Sequence, residues 1–193
     1  KIIYGLFSVR MANRLINEIR FAHHVFGGFI TGKLLDSLII GIMCFFGMRF
    51  LKMPYVLLIS VIIGFTNVIP FFGPFIGAIP SAFLILLVSP LKCLYFLIFI
   101  LVLQQFDGNI LGPKILGDST GLPSFWVLFS ILLFGGLMGF VGMIIAVPTF
   151  AVIYRLVTEF TTWMLHKKTL SGDITAYDGL DHIDETEQTY IKK

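Results

Sequence analysis

Two amides, a carboxylate, a third amide and an ammonium fall within eleven residues at the end of an apolar run: Gln104, Gln105, Asp107, Asn109 and Lys114. Gly108, Gly112 and Pro113 loosen the backbone between them, and Gly117-Asp118 follows. Oxygen-rich side chains beside such a backbone can replace the water shell of a sodium ion or hold a polar solute. A carboxylate there can instead carry a proton, because loss of water favours the neutral acid. An ionisable group at the bilayer centre costs on the order of 3 kcal/mol, so each one in an apolar chain needs a reason. The competing reading is a cytoplasmic loop in which Asp107 and Lys114 are solvated or paired; residue types alone leave both open.

A second cluster is Thr66-Asn67-Val68-Ile69-Pro70-Phe71-Phe72-Gly73-Pro74. Two prolines around a glycine cannot sustain an α-helix, so the backbone must turn and release carbonyls that need partners. This favours a hairpin tip dipping into a membrane, with Asn67 capping the broken end or facing a substrate, capping being the commoner role. Asp36 lies near Lys33 at an inner boundary and reads as a structural pair rather than an ion site. Glu159 follows Arg155 by four residues and reads as a helix-end pair. Other chemistry is absent: there is no phosphate-binding P-loop, no GxSxG serine and no HExxH metal motif, and a second intramembrane aspartate for proteolysis is lacking. An enzyme, a metal centre and a cofactor are therefore not expected. Cys44 and Cys93 sit in separate apolar runs and read as packing residues.

The elements that must position these groups are apolar throughout. Of 193 residues 57% are hydrophobic and 13% charged, with a mean hydropathy of +0.94. Soluble domains are about a quarter charged, which excludes a soluble enzyme, a secreted disulfide scaffold and a nucleic-acid binder. Residues 1–33 place apolar side chains at a helical period with Arg10, Arg14 and Arg20 between them, as in an amphipathic helix on the cytoplasmic face of an anionic membrane. A helix packed on chain outside this sequence fits equally, since Lys1 in place of a methionine suggests the later part of a longer protein. Residues 34–157 form the transmembrane domain, read as six segments at about 34–50, 54–70, 75–89, 93–106, 123–136 and 139–157. Several are shorter than the ~20 residues that span a bilayer, as broken or re-entrant helices are. Residues 158–193 form a polar, acidic cytoplasmic tail, expected to be partly disordered and without chemistry. With both ends inside, only Arg49, Lys52 and Lys92 among the lysines and arginines lie outside, which fits the positive-inside rule. A weak repeat aligns Gly77–Ser81 with Ile145–Thr149 and hints at inverted halves.

Asn67-Val68-Ile69-Pro70-Phe71-Phe72-Gly73-Pro74, Gln104-Gln105-Phe106-Asp107-Gly108-Asn109 with Pro113-Lys114-Ile115-Leu116-Gly117, and the closing run 135–148 together resemble the autoinducer-2 exporter family of bacterial permeases. The resemblance covers about residues 25–157. It implies a multi-pass protein of the bacterial cytoplasmic membrane with about eight spans, the first ones absent here, assembled as a homo-oligomer, a pentamer. Family members are associated with export of autoinducer-2, with exchange of Na+ or Li+ for H+, and with less defined roles including sporulation. The positions that match are Asn67, Pro70, Gly73, Pro74, Gln104, Gln105, Asp107, Asn109 and Pro113.

The sequence thus leads to an all-α polytopic membrane protein acting as a secondary transporter. Its partners are the lipid bilayer and a small polar solute or monovalent cation, with no nucleic acid. Asp107 is the expected charge-coupling group, and Gln105 and Asn109 the expected ligands. The rival is a membrane scaffold whose broken helices serve oligomer packing without moving a solute.

Overall fold

The computed structural model describes residues 1–116, 121–183 and 190–192; Gly117, Asp118 and the tail acids Asp184, Glu185 and Glu187 lie outside the described residues. Two compact units are present, Lys1–Ala151 and Val152–Lys193.

In the first unit a short helix, α1 (Ile2–Leu6), precedes α2 (Val9–Phe50), which runs unbroken for 42 residues. No proline lies between Val9 and Phe50, and Gly27 and Gly28 do not interrupt it, so the expected junction at residues 33 and 34 falls inside one helix. Its buried residues include Phe29, Lys33, Asp36, Ile40, Cys44 and Met48, at the three- and four-residue spacing of a single helical face.

Two short helices follow, α3 (Val56–Thr66) and α4 (Gly73–Leu86). At 1.5 Å per residue they reach about 16 and 21 Å, short of the ~30 Å hydrocarbon core. They form the expected hairpin. Pro74 sits in the first turn of α4, where a proline lacks only an N–H that would have had no partner. Between the helices Phe71 takes φ +63°, a left-handed conformation that a side chain of its size adopts only when its surroundings fix it. Gly73 lies so close to the Thr66 carbonyl that no Cβ fits there.

The helix α3 crosses α2 at Gly41 and Gly64, where a Cβ on Gly64 would stand 2.9 Å from the Gly41 Cα. Ser37 and Gly41 on α2, with Ser60 and Gly64 on α3, give each helix a small-x-x-x-small face, the pattern that lets helices approach closely without help from water.

Helix α5 (Pro90–Phe106) starts with Ser89 accepting from the Lys92 N–H, and Pro90 in its first turn. It does not end where the polar cluster begins. A five-residue π-helical turn, Asp107–Leu111, carries it into α6 (Gly112–Leu116), so residues expected to be loop are helical. Single π turns inside helices are rare and concentrate at functional sites.

The last apolar stretch is α7 (Ser124–Lys167), in which Gly139 has φ 61° and ψ −139°, a combination open in practice to glycine alone. The chain doubles back there. Gly142 abuts the Phe134 carbonyl, a Cβ on Gly135 would touch Met143, and Trp126 stacks on Phe150 with centroids 5.3 Å apart. The two limbs correspond to the expected segments 123–136 and 139–157.

These two hairpins meet through aromatic side chains. Phe72, at the tip of the first, packs into the cluster of Phe29, Ile131, Ala146 and Val147, seven to eight residues from Gly139 along either limb of α7. Phe65, further from that tip, stacks on Phe140 beside Gly139. A second cluster, including Ile40, Met48, Ile63, Ile85, Phe96 and Ile100, binds α2 to α5 together, and the unpaired Cys44 and Cys93 pack within it.

Large apolar side chains cover the outside of the bundle as well as its core. Phe50, Leu57, Phe65, Phe83 and Leu101 are exposed, while Lys33, Asp36, Asn67 and Asp107 are buried. Val9–Phe50, Pro90–Ile115 and the folded stretch Ser124–Lys167 have the length and apolarity to cross a bilayer. The chain is a polytopic α-helical membrane protein with broken helices.

In the second unit Arg155 donates to Glu159 across 3.1 Å inside α7. Among the described residues of the polar tail, a 3-10 turn (Ile174–Tyr177) and an antiparallel ribbon, β1 (Leu180–Ile183) with β2 (Tyr190–Lys192), are present. The β-branched and aromatic residues of Leu-Asp-His-Ile and Tyr-Ile-Lys suit strands.

Candidate ion or solute site

Three elements bring four polar side chains together inside the first unit. From α2, Lys33 donates to Asp36 Oδ2 at 2.7 Å, and both residues are buried. From the broken end of α3, Asn67 Nδ2 reaches the same Asp36 oxygen at 3.2 Å and Asp107 Oδ2 at 3.3 Å. Asp107 is supplied by the first residue of the π turn. Asn67 holds the backbone position that ends α3, where its N–H donates to the Ile63 carbonyl at 3.0 Å, and its side chain is the bridge between two carboxylates.

Among the described residues, no N–H or O–H donor reaches the buried Asp36 Oδ1 or Asp107 Oδ1, and the buried Gln104 Nε2 meets no acceptor. A buried polar atom without a partner costs about 1–3 kcal/mol, so such atoms mark places where a ligand can complete the structure.

The expected site residues separate onto different surfaces. Leu103, Gln104 and Asp107 follow one face of α5 at helical spacing, with Asp107 buried. Gln105 and Asn109 are exposed and bind each other, Asn109 Nδ2 donating to the Gln105 carbonyl at 2.8 Å and to Oε1 at 2.9 Å. Gly73 is buried, Pro70 and Pro74 are half-buried around the hairpin tip, and Pro113 is exposed in α6. Lys33 and Asp36 were read as a boundary pair; they are a pair, and they also belong to this site. Their sequence signal was the shared stripe with Phe29, Ile40, Cys44 and Met48, which places two charges on the packed face of an apolar helix.

The site has a definable depth. Asp36 stands fourteen residues before Phe50, or about 21 Å of helix, and Asp107 seventeen residues after Pro90, or about 25 Å. Both lie far along their helices from the 51–55 and 87–89 connections.

Two broken hairpins, with a buried charged site at the tip of one, place the chain among polytopic membrane proteins with interrupted helices. The sequence profile of the AI-2E family transporters matches residues 1–162, and the chain belongs to that family. It is 40% identical over 134 residues to the putative transport protein YrrI of Bacillus subtilis, covering 69% of this chain and 38% of that protein. Over 125 residues it is 35% identical to the putative transport protein YueF of the same organism, covering 65% of this chain and 34% of YueF. The putative transport protein YhhT of Escherichia coli K12 is 31% identical over 121 residues, 62% of this chain and 35% of that protein. The chain therefore spans well under half the length of these three relatives. No solved structure matches it.

Proposed function

We propose that this chain forms part of a secondary transporter that moves a small polar solute or exchanges Na+ or Li+ for H+, with Asp107 and Asp36 as its charge-coupling groups. One observation carries the reading: Asn67, on a broken helix, joins two carboxylates from two other elements, each with an oxygen left over in a buried setting. A scaffold gains nothing from keeping such atoms unpartnered, whereas a carrier needs them free to take and release a charge. Gln104 lies on the Asp107 face; Gln105, Asn109 and Pro113 lie on the exposed side, where they line the approach. Pro70, Gly73 and Pro74 shape the hairpin tip that must shift for the site to open alternately to each side. The distribution of lysine and arginine supports placement in the bacterial cytoplasmic membrane with both ends inside, and the family supports a homo-oligomer.

The test uses full-length protein in sealed liposomes containing a pH-sensitive dye, with sodium, lithium or potassium added outside and Asp107→Asn as the control. Cation-dependent proton movement that vanishes in the variant is the expected result. Silence with every cation, followed by silence with labelled autoinducer-2, would overturn the transporter in favour of a scaffold.

A further inference from the structure

Lys33 has no counterpart in the transport scheme just given, yet its ammonium contacts the same Asp36 oxygen that Asn67 binds. The side chain is nine-tenths buried, and its ammonium lies 2.7 Å from Asp36 Oδ2. When both carboxyls are ionised, they and the one ammonium leave one net negative charge. The free oxygens are one on Asp36 and one on Asp107. Oxygen ligands without sulfur or imidazole suit a hard cation.

We propose that Lys33 is a tethered counter-cation that sets the valence of the site: it leaves room for one monovalent cation and too little negative charge for a divalent one. The inference rests on the reading of Asp36 and Asp107 as the site. The energetics follow from burial, because an uncompensated charge in a low-dielectric setting is far more costly than in water, so the occupied state favours zero net charge. Without Lys33 the same oxygens would hold two negative charges and would match Ca2+, which takes carboxylate oxygens readily. With Asp107 neutralised, Lys33 and Asp36 would cancel and leave no cation site.

The experiment measures protection of full-length purified protein against thermal unfolding by NaCl or CaCl2 at constant ionic strength, since a ligand that binds only the folded state raises its stability. Wild type and Lys33→Arg are expected to respond to sodium and not to calcium. Lys33→Met is expected to respond to calcium at a concentration about tenfold or more below that needed by wild type. Asp107→Asn is expected to respond to neither. The double variant Lys33→Met/Asp107→Asn, again with one net negative charge, is expected to regain the sodium response, and it decides the matter if Lys33→Met alone does not fold. An unchanged sodium-over-calcium preference in Lys33→Met, a double variant that stays silent, or no cation response in any protein would overturn the proposal. Sodium protection of a wild type that shows no flux in liposomes would instead remove the transport reading and leave the valence assignment standing.

Discussion

Phe65 and Phe140 stack with their ring centroids 5.8 Å apart and their planes within 8° of parallel. The first sits two residues before the bridging Asn67 and the second immediately after Gly139, so the bend of α7 is in contact with the helix that carries the site's central amide. A stacked aromatic pair contributes ~0.5–1.5 kcal/mol beyond its buried area, enough to couple the two hairpins without welding them.

Gly139→Ala tests that bend. Its φ of 61° is strained for any side chain, although a Cβ would meet no neighbour within 4 Å. The cost is therefore conformational, about 1–3 kcal/mol. Thermal unfolding in detergent is expected to show a lower midpoint, and an unchanged midpoint would mean that the sharp fold at Gly139 is not the one present in solution.

Gly73→Ala and Gly136→Ala separate steric fit from helix propensity. At Gly73 a Cβ would run into the Thr66 carbonyl, and backbone atoms cannot rotate away, so a loss of about 2 kcal/mol or more is expected. Gly136 has open space and no left-handed φ, so alanine there is expected to be neutral or to stabilise by ~0.5–1 kcal/mol. Denaturant or thermal unfolding of both variants, side by side, checks the contrast.

Much of this architecture could be read from residue order. Apolar runs punctuated at 70–74 and 135–139 gave the segments, because proline and glycine interrupt helices locally, and Asn67 and Asp107 stood out as polar groups in apolar company. Asp36 and Lys33 did not, since their short spacing explains them as a pair and only the folding of α3 against α2 brings them to Asn67. The opposite error arose at Gln105 and Asn109. They are adjacent to Asp107 in sequence, yet each helical residue rotates by about 100°, so two steps carry a side chain to the far side. The π turn was hidden as well, because Asp-Gly-Asn reads as a loop and only the continuing ladder into α6 makes it helical.

The central claim is that Asp36 and Asp107 work as one site through Asn67, and Asp36→Asn tests it most directly. Cation-driven proton movement is measured in liposomes containing the full-length variant, with correct insertion verified by size-exclusion profile and protease protection. The account predicts that Asp36→Asn abolishes exchange as fully as Asp107→Asn does while the protein remains folded. Exchange at the wild-type rate in a folded Asp36→Asn protein would contradict it, leaving the Lys33–Asp36 pair as structure alone.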